Sequence, residues 1–280
     1  MAISQETSVA FTEELHGHTL AYTILADGEG VGTGTVVSIG EHVLVATTRH
    51  TLPAYLKSKG KDGEIGLIAK DRIVTGDRSR WLIRHESDTY HDLGLFEISH
   101  DAIHELNLQP IGIDRLHDAC NGHPLCKVRV IGYPKEYRKD HFPQQGMRGF
   151  RAFSYGTEIL DLEAWNSLYV ENLYSNEHVV LNYDQNDNID WLGDHVVESP
   201  APHPGGMSGG GIWQAVSPLD DKHIWTVDRL RLIAVQCGWY AKYSVLKGTQ
   251  VIYWLKLVTE TYRHLRDELE ATFPRLKTLS

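Results

Sequence analysis

The chain has 280 residues, 41% of them apolar, enough to bury a large core in one large domain or two small ones. Its formal net charge of −10 argues against a general nucleic-acid binder, which needs clustered Lys and Arg, but leaves a cationic peptide or protein partner open. Three cysteines, Cys120, Cys126 and Cys237, are too few and odd in number for a disulfide framework.

Met1 to Glu14 has neither the basic start nor the apolar run of a signal peptide, and no segment approaches the length of a membrane span. The expectation is therefore a soluble cytoplasmic protein with no nucleic-acid and no membrane partner. Short apolar runs punctuated by 25 glycines favour β-structure. Thr19–Leu25 reads as a strand before an Asp27-Gly28 turn. Gly34–Ile39 and His42–Thr47 flank Gly40-Glu41 as a hairpin. Pro53–Lys57 reads as a short helix or turn, and Glu64–Val74 and Trp81–Arg84 as strands. Leu93–Ile98 is a compact apolar run. Leu106–Cys120, with Pro110 and Gly112, reads as the connection between two halves. Lys127–Ile131 alternates basic and apolar residues and stops at Gly132-Tyr133-Pro134. Tyr155–Leu160, Ser167–Val170 and His178–Leu181 are further strands, and the acidic, turn-rich Asn182–Asp194 reads as a surface loop. Gly211–Gln214 and Leu230–Gln236 bracket a polar excursion at Pro218–His223. From Val251 to Glu270 the residues Trp254, Leu257, Val258, Tyr262, Leu265 and Leu269 recur at helical spacing, predicting one amphipathic helix packed on the body.

The most informative stretch is Gly205-Gly206-Met207-Ser208-Gly209-Gly210-Gly211. Glycines around a serine let the backbone turn sharply and approach a substrate closely, and amides in such a turn can converge on a developing oxyanion. A serine hydroxyl needs a base and a group that orients that base. His50 follows the apolar run Val43–Ala46, and Asp92 begins Asp92-Leu93-Gly94-Leu95-Phe96. Both can be held firmly at strand ends while facing a cleft. The order His50, Asp92, Ser208 is that of chymotrypsin among the known triad orders. An α/β-hydrolase elbow needs a helix after the serine, and Gly-Gly-Gly-Ile-Trp starts none.

The chain resembles trypsin-like serine peptidases of the bacterial type without disulfides. Gly32-Thr33-Gly34-Thr35-Val36-Val37 is similar to their first strand, Ala46-Thr47-Thr48-Arg49-His50 to their histidine motif, and His91-Asp92-Leu93-Gly94-Leu95 to their aspartate motif. Gly206-Met207-Ser208-Gly209-Gly210 is similar to the serine motif. Val130-Ile131-Gly132-Tyr133-Pro134 and Ile233-Ala234-Val235-Gln236-Cys237-Gly238 fall where that family has strands. The resemblance spans roughly residues 30–250, and six motifs in order make it specific. It implies an all-β, chymotrypsin-like fold of two antiparallel six-stranded β-barrels with a C-terminal α-helix. Residues 1–112 would form the first barrel with His50 and Asp92, 113–250 the second with Ser208, and 251–280 the helix. It implies a serine endopeptidase using His50 as base, Asp92 as its orienting carboxylate and Ser208 as nucleophile. The amides of Gly206 and Ser208 would form the oxyanion hole, and Gln236, Cys237 and Gly238 would line the cleft. The substrate is a protein or peptide, an activating partner protein is allowed for, and no metal or cofactor is called for.

Three positions depart from the family pattern. Met207 replaces the aspartate that elsewhere pairs with a released N-terminus, so the oxyanion loop is set by something else or stays disordered until something binds. Arg49 puts a cation beside the base. Pro202 stands where enzymes cutting after Arg or Lys carry an acid, which disfavours that specificity, and His203 nearby is a candidate contact for an acidic or polar substrate residue. Met207 and Arg49 favour the alternative of a weakly active fold used as a peptide- or protein-binding module. His16-Gly17-His18 offers metal-ligand types, but no Cys or carboxylate set completes a recognisable spacing.

Overall fold

The computed structural model describes residues 5–24, 29–52, 65–69, 72–76, 83–86, 90–118, 127–142, 147–166, 168, 173–186, 189–192, 195–198, 200–215 and 226–279. A helix at Gln5–Gly17 precedes seven strands: β1 (Thr19–Ile24), β2 (Glu29–Ile39), β3 (His42–Thr48), β4 (Ile65–Ala69), β5 (Arg72–Gly76), β6 (Ile83–Glu86) and β7 (Leu93–Glu97). They form one antiparallel sheet in the order β5-β4-β1-β2-β3-β7-β6. After a helix at His100–Leu106, capped by the Ser99 hydroxyl, come β8 (Lys127–Gly132), β9 (Arg138–Phe142), β10 (Met147–Phe150), β11 (Phe153–Glu158), β12 (His178–Asn182), β13 (Ile189–Leu192), β14 (His195–Glu198), β15 (Gly211–Ala215), β16 (Leu230–Tyr240) and β17 (Val245–Gln250). Six of these form the second antiparallel sheet, in the order β11-β8-β15-β16-β17-β12, and β9–β10 and β13–β14 are separate hairpins.

Two antiparallel sheets and a helical C-terminus match the expected architecture, with three corrections. The first sheet has seven strands rather than six, because Glu64–Val74 is not one strand. It is the pair β4 and β5, with Ala69 opposite Arg72. That first sheet stays open, since among the described residues its outer strands β5 and β6 do not pair, whereas the second closes as expected: Ile159, just past β11, bridges Leu181 of β12, and the Leu160 amide donates to the Val180 carbonyl at 2.8 Å. Second, the stretch expected as a loop contains β13, paired with β14 through Ile189 opposite Glu198. The β-formers Ile189, Trp191, Val196 and Val197 outweigh the acidic composition there. Third, the C-terminal helix is interrupted. A helix at Val251–Thr261 ends at Tyr262, whose backbone leaves the helical region (φ −113°, ψ 76°). A 3-10 turn (Arg263–Leu265), a short helix (Arg266–Thr272) and a second 3-10 turn (Pro274–Thr278) follow. The expectations at Pro53–Lys57 and Pro218–His223, most of Ser167–Val170, and Cys120 and Cys126 fall outside the described residues.

Strand alternation explains how β3 serves two cores at once. Val43 and Val45 join Leu20, Tyr22, Val36, Leu67 and Phe96 inside the first sheet. Leu44 and Ala46 point the other way, into a core shared with Ile131, Trp213, Leu232 and Val235 of the second sheet and Val251, Ile252, Trp254 and Leu255 of the C-terminal helix. Each fully buried aliphatic side chain contributes roughly 1.5–3 kcal/mol, so this central core fixes the two sheets against each other. Tyr133, from the expected Gly132-Tyr133-Pro134 stop, crosses the divide to pack with Ala21 and Ile68. Among the described residues no helix is long and apolar enough to cross a membrane.

Candidate active site

His50 lies in a 3-10 turn, Arg49–Thr51, directly after β3. Hydroxyls anchor that turn from below. Thr51 Oγ1 donates to the Thr48 carbonyl at 2.8 Å, and the buried Tyr22 hydroxyl bonds Thr47 Oγ1 at 2.8 Å and also Thr51 Oγ1. Burial pushes the Tyr22 phenol up to about 12, so it remains a neutral hydroxyl.

Asp92 meets this turn from the start of β7. Its φ of 54° is left-handed, a region Asp tolerates better than most residues. Asp92 Oδ1 accepts the His50 amide at 2.9 Å and Oδ2 accepts His50 Nδ1 at 2.6 Å. The Asp92 carbonyl accepts the Arg49 amide at 3.1 Å. With Nδ1–H donated to the carboxylate, the neutral imidazole has its lone pair on Nε2. The second sheet braces the same turn, since Thr249 Oγ1 of β17 donates to the His91 carbonyl at 2.6 Å. His91 itself is turned away: its ring stacks on Tyr253, with centroids 4.5 Å apart.

The serine loop runs from the second sheet to the end of β2. The Thr33 amide donates to the Ser208 carbonyl at 2.9 Å, and Thr33 Oγ1 donates to the Gly206 carbonyl at 2.8 Å. Thr33 Oγ1 also accepts the Tyr133 amide, and the Thr33 carbonyl accepts Thr47 Oγ1, at 2.9 and 2.8 Å. Thr33 thus ties the serine loop to the strand that leads into His50. A Cβ on Gly209 would lie 1.9 Å from the Thr33 carbonyl oxygen, and its φ is +94°, so only glycine fits there.

The loop amides fall into two groups. Gly205 donates to His203 Nδ1 at 3.0 Å, Met207 to the Pro204 carbonyl at 3.0 Å, Gly209 to the Gln236 carbonyl at 2.8 Å and Gly210 to the Met207 carbonyl at 2.8 Å. The amides of Gly206 and Ser208 have no acceptor among the described residues. Met207 supplies the anchor that a buried ion pair would otherwise give. Its side chain is fully buried among Val130, Phe153, Tyr183, Ile212 and Ile233. Among the described residues no hydrogen bond joins Ser208 to His50.

The cleft candidates divide by environment. Pro202 is buried and its carbonyl accepts the Tyr183 hydroxyl at 2.6 Å. His203 is exposed, its ring set edge-on to Trp239 at 4.5 Å and its amide donating to Glu136 Oε2 at 2.7 Å. Gln236 is buried, with Nε2 donating to the Gly238 carbonyl at 3.1 Å. Cys237 is the extra residue of a bulge in β16, between Gln236 opposite Gly248 and Gly238 opposite Lys247. Its thiol is free and buried, and burial pushes it up to about 11. It is therefore no nucleophile at neutral pH. β15 pairs with β16 only as far as Gly211 opposite Val235, so Gly238–Tyr240 pair with β17 alone among the described residues.

Thr33, Tyr22 and Thr249 brace the site and are not legible as site residues, while Met207 is legible only as a departure from the family pattern, not as a buried anchor. Thr33 lies within the Gly32–Val37 string, but its hold on the serine loop rests on contacts to Tyr133, Gly206 and Ser208, 100 or more positions away. The fold is chymotrypsin-like: two antiparallel sheets, histidine and aspartate at strand ends of the first, the serine loop on the second, and a C-terminal helix packed against both.

No protein-family model and no curated protein matches the chain. Among solved structures, the chain is similar to the serine protease domain of the Sesbania mosaic virus polyprotein, at 12% identity and a TM-score of 0.48, over 85% of this chain and 89% of that one. It is also similar to the Rv3671c protease in its inactive form, at 13% identity and a TM-score of 0.45, over 89% of this chain and 90% of that one. Likeness this distant says nothing of chemistry, which the side chains must carry.

Proposed function

We propose that the chain is a serine endopeptidase in which His50, Asp92 and Ser208 act as the triad. The observation that carries this reading is the two-point hold of Asp92 on His50, through the backbone amide and Nδ1 together. Such a hold fixes ring orientation and tautomer and leaves Nε2 as the base, which is what the orienting carboxylate of a triad must do.

Ser208 Oγ attacks the peptide carbonyl while His50 Nε2 takes its proton. The negative oxygen of the tetrahedral intermediate is received by the amides of Gly206 and Ser208, the two that the loop does not itself use. His50, now cationic and stabilised by Asp92, returns the proton to the leaving amine. Water then repeats the sequence on the acyl-enzyme. An extended substrate backbone pairs with Gly238–Tyr240, where β16 has no neighbour on the β15 side. Burial of Met207 sets the loop without a released N-terminus, so this reading requires no N-terminal cleavage for activity. Pro202 disfavours cleavage after Arg or Lys. The test is cleavage of a peptide library by the wild-type chain, with Ser208→Ala as the blank. Serine-dependent cleavage with a defined site preference is expected, and equal products from both proteins overturn the reading.

A binding module is the second reading, and Arg49, which puts a cation beside the base, favours it. It predicts saturable binding of a peptide at the β16 edge, equal in wild type and Ser208→Ala, and no turnover.

A further inference from the structure

His42 opens β3, and His264 sits in the 3-10 turn after the interrupted C-terminal helix, 222 residues further along the chain. Their Nε2 atoms are 3.2 Å apart. Two imidazole nitrogens sharing a tetrahedral zinc at about 2.0–2.1 Å stand roughly 3.4 Å apart. Glu41 completes a set: one ligand atom from each of Glu41, His42 and His264 lies within 4.8 Å of the others.

Two further features point the same way. The other nitrogen of His42, Nδ1, bonds Glu97 Oε1 at 2.8 Å, and Glu97 Oε2 accepts the Tyr262 hydroxyl at 3.0 Å. A carboxylate on the far nitrogen is how a metal-binding histidine is commonly oriented and made more basic. It also fixes the tautomer with the Nε2 lone pair aimed at His264. The scaffold is packed as well. The Tyr262 ring lies 4.3 Å from the His42 ring, and Leu265 is buried beside Gly40 of the hairpin.

We propose that Glu41, His42 and His264 bind one divalent transition-metal ion of the zinc class, with a fourth position open to water. The ion staples the turn at Arg263–Leu265 to the β2–β3 hairpin. It neither touches nor depends on the proposed triad.

The experiment is titration of the whole chain with zinc chloride by calorimetry, with thermal melting alongside. Wild type is expected to take up zinc saturably and to melt higher in its presence. His264→Ala, at an exposed position, should lose one equivalent and the shift in melting. Glu97→Gln should weaken that equivalent about 10- to 100-fold while the apo protein stays folded. Zinc uptake unchanged in His264→Ala and His42→Ala overturns the proposal, as does the absence of saturable uptake by wild type. Either result leaves the two histidines as a plain hydrogen-bonded pair.

Discussion

Asp92 receives both the backbone amide and the Nδ1–H of His50, at 2.9 and 2.6 Å. One carboxylate therefore fixes where the imidazole sits and which nitrogen is free. Asp92→Asn preserves the left-handed turn, which Asn tolerates, but can offer its amide group to Nδ1 and invert the tautomer. The expected outcome is a fall in kcat by about 10⁴-fold with the melting temperature nearly unchanged, read from steady-state kinetics and calorimetry.

Met207 fills the space between Gly132 and the second-sheet core, and a Cβ on Gly132 would come within 2.9 Å of it. Met207→Leu conserves volume and should cost less than about 1.5 kcal/mol. Met207→Asp puts a carboxylate into the apolar second-sheet core, at a cost on the order of 3–5 kcal/mol. Urea unfolding of the two variants measures the difference. Equal stabilities would mean that apolar burial does not hold the serine loop.

Gly209 and Gly156 make a matched pair. A Cβ on Gly209 collides with the Thr33 carbonyl and Thr47 Oγ1 at positive φ, whereas one on Gly156 meets nothing within 4 Å. Gly209→Ala should destabilise by on the order of 3 kcal/mol and abolish turnover. Gly156→Ala should leave both within error, by the same unfolding and kinetic assays.

His178 is buried in β12, and desolvation lowers its pKa to about 3. An unfolded histidine titrates near 6.5, so below that pH the unfolded state binds a proton that the native state refuses. The contribution of His178 to stability is complete above about pH 6.5 and falls as pH drops toward 3, by at most about 1.4 kcal/mol per unit. His178→Gln should flatten that part of the stability-against-pH curve, measured by urea unfolding from pH 7 to 4.

The positions of His50, Asp92 and Ser208 are legible because each lies in a short local string that specifies a strand end or a tight turn. What braces them is not. Thr33 acts on Gly206 and Tyr133, and Thr249 on His91, across separations that no local pattern encodes. Met207 is visible as a departure from the family pattern, but its burial appears only once β8 and β16 are in place. The break at Tyr262 escapes helical periodicity for a similar reason. Its hydroxyl is claimed by Glu97 and its ring by His42, contacts from the other end of the chain. The proposed metal-ligand pair His42 and His264 is hidden by the same distance.

The central claim is a serine made nucleophilic by His50, and a fluorophosphonate probe followed by peptide mapping tests it most directly. A single adduct on Ser208 in the wild type, lost in Ser208→Ala and strongly reduced in His50→Ala, is the predicted result. No adduct on Ser208, or one that forms as fast without the imidazole, would contradict it.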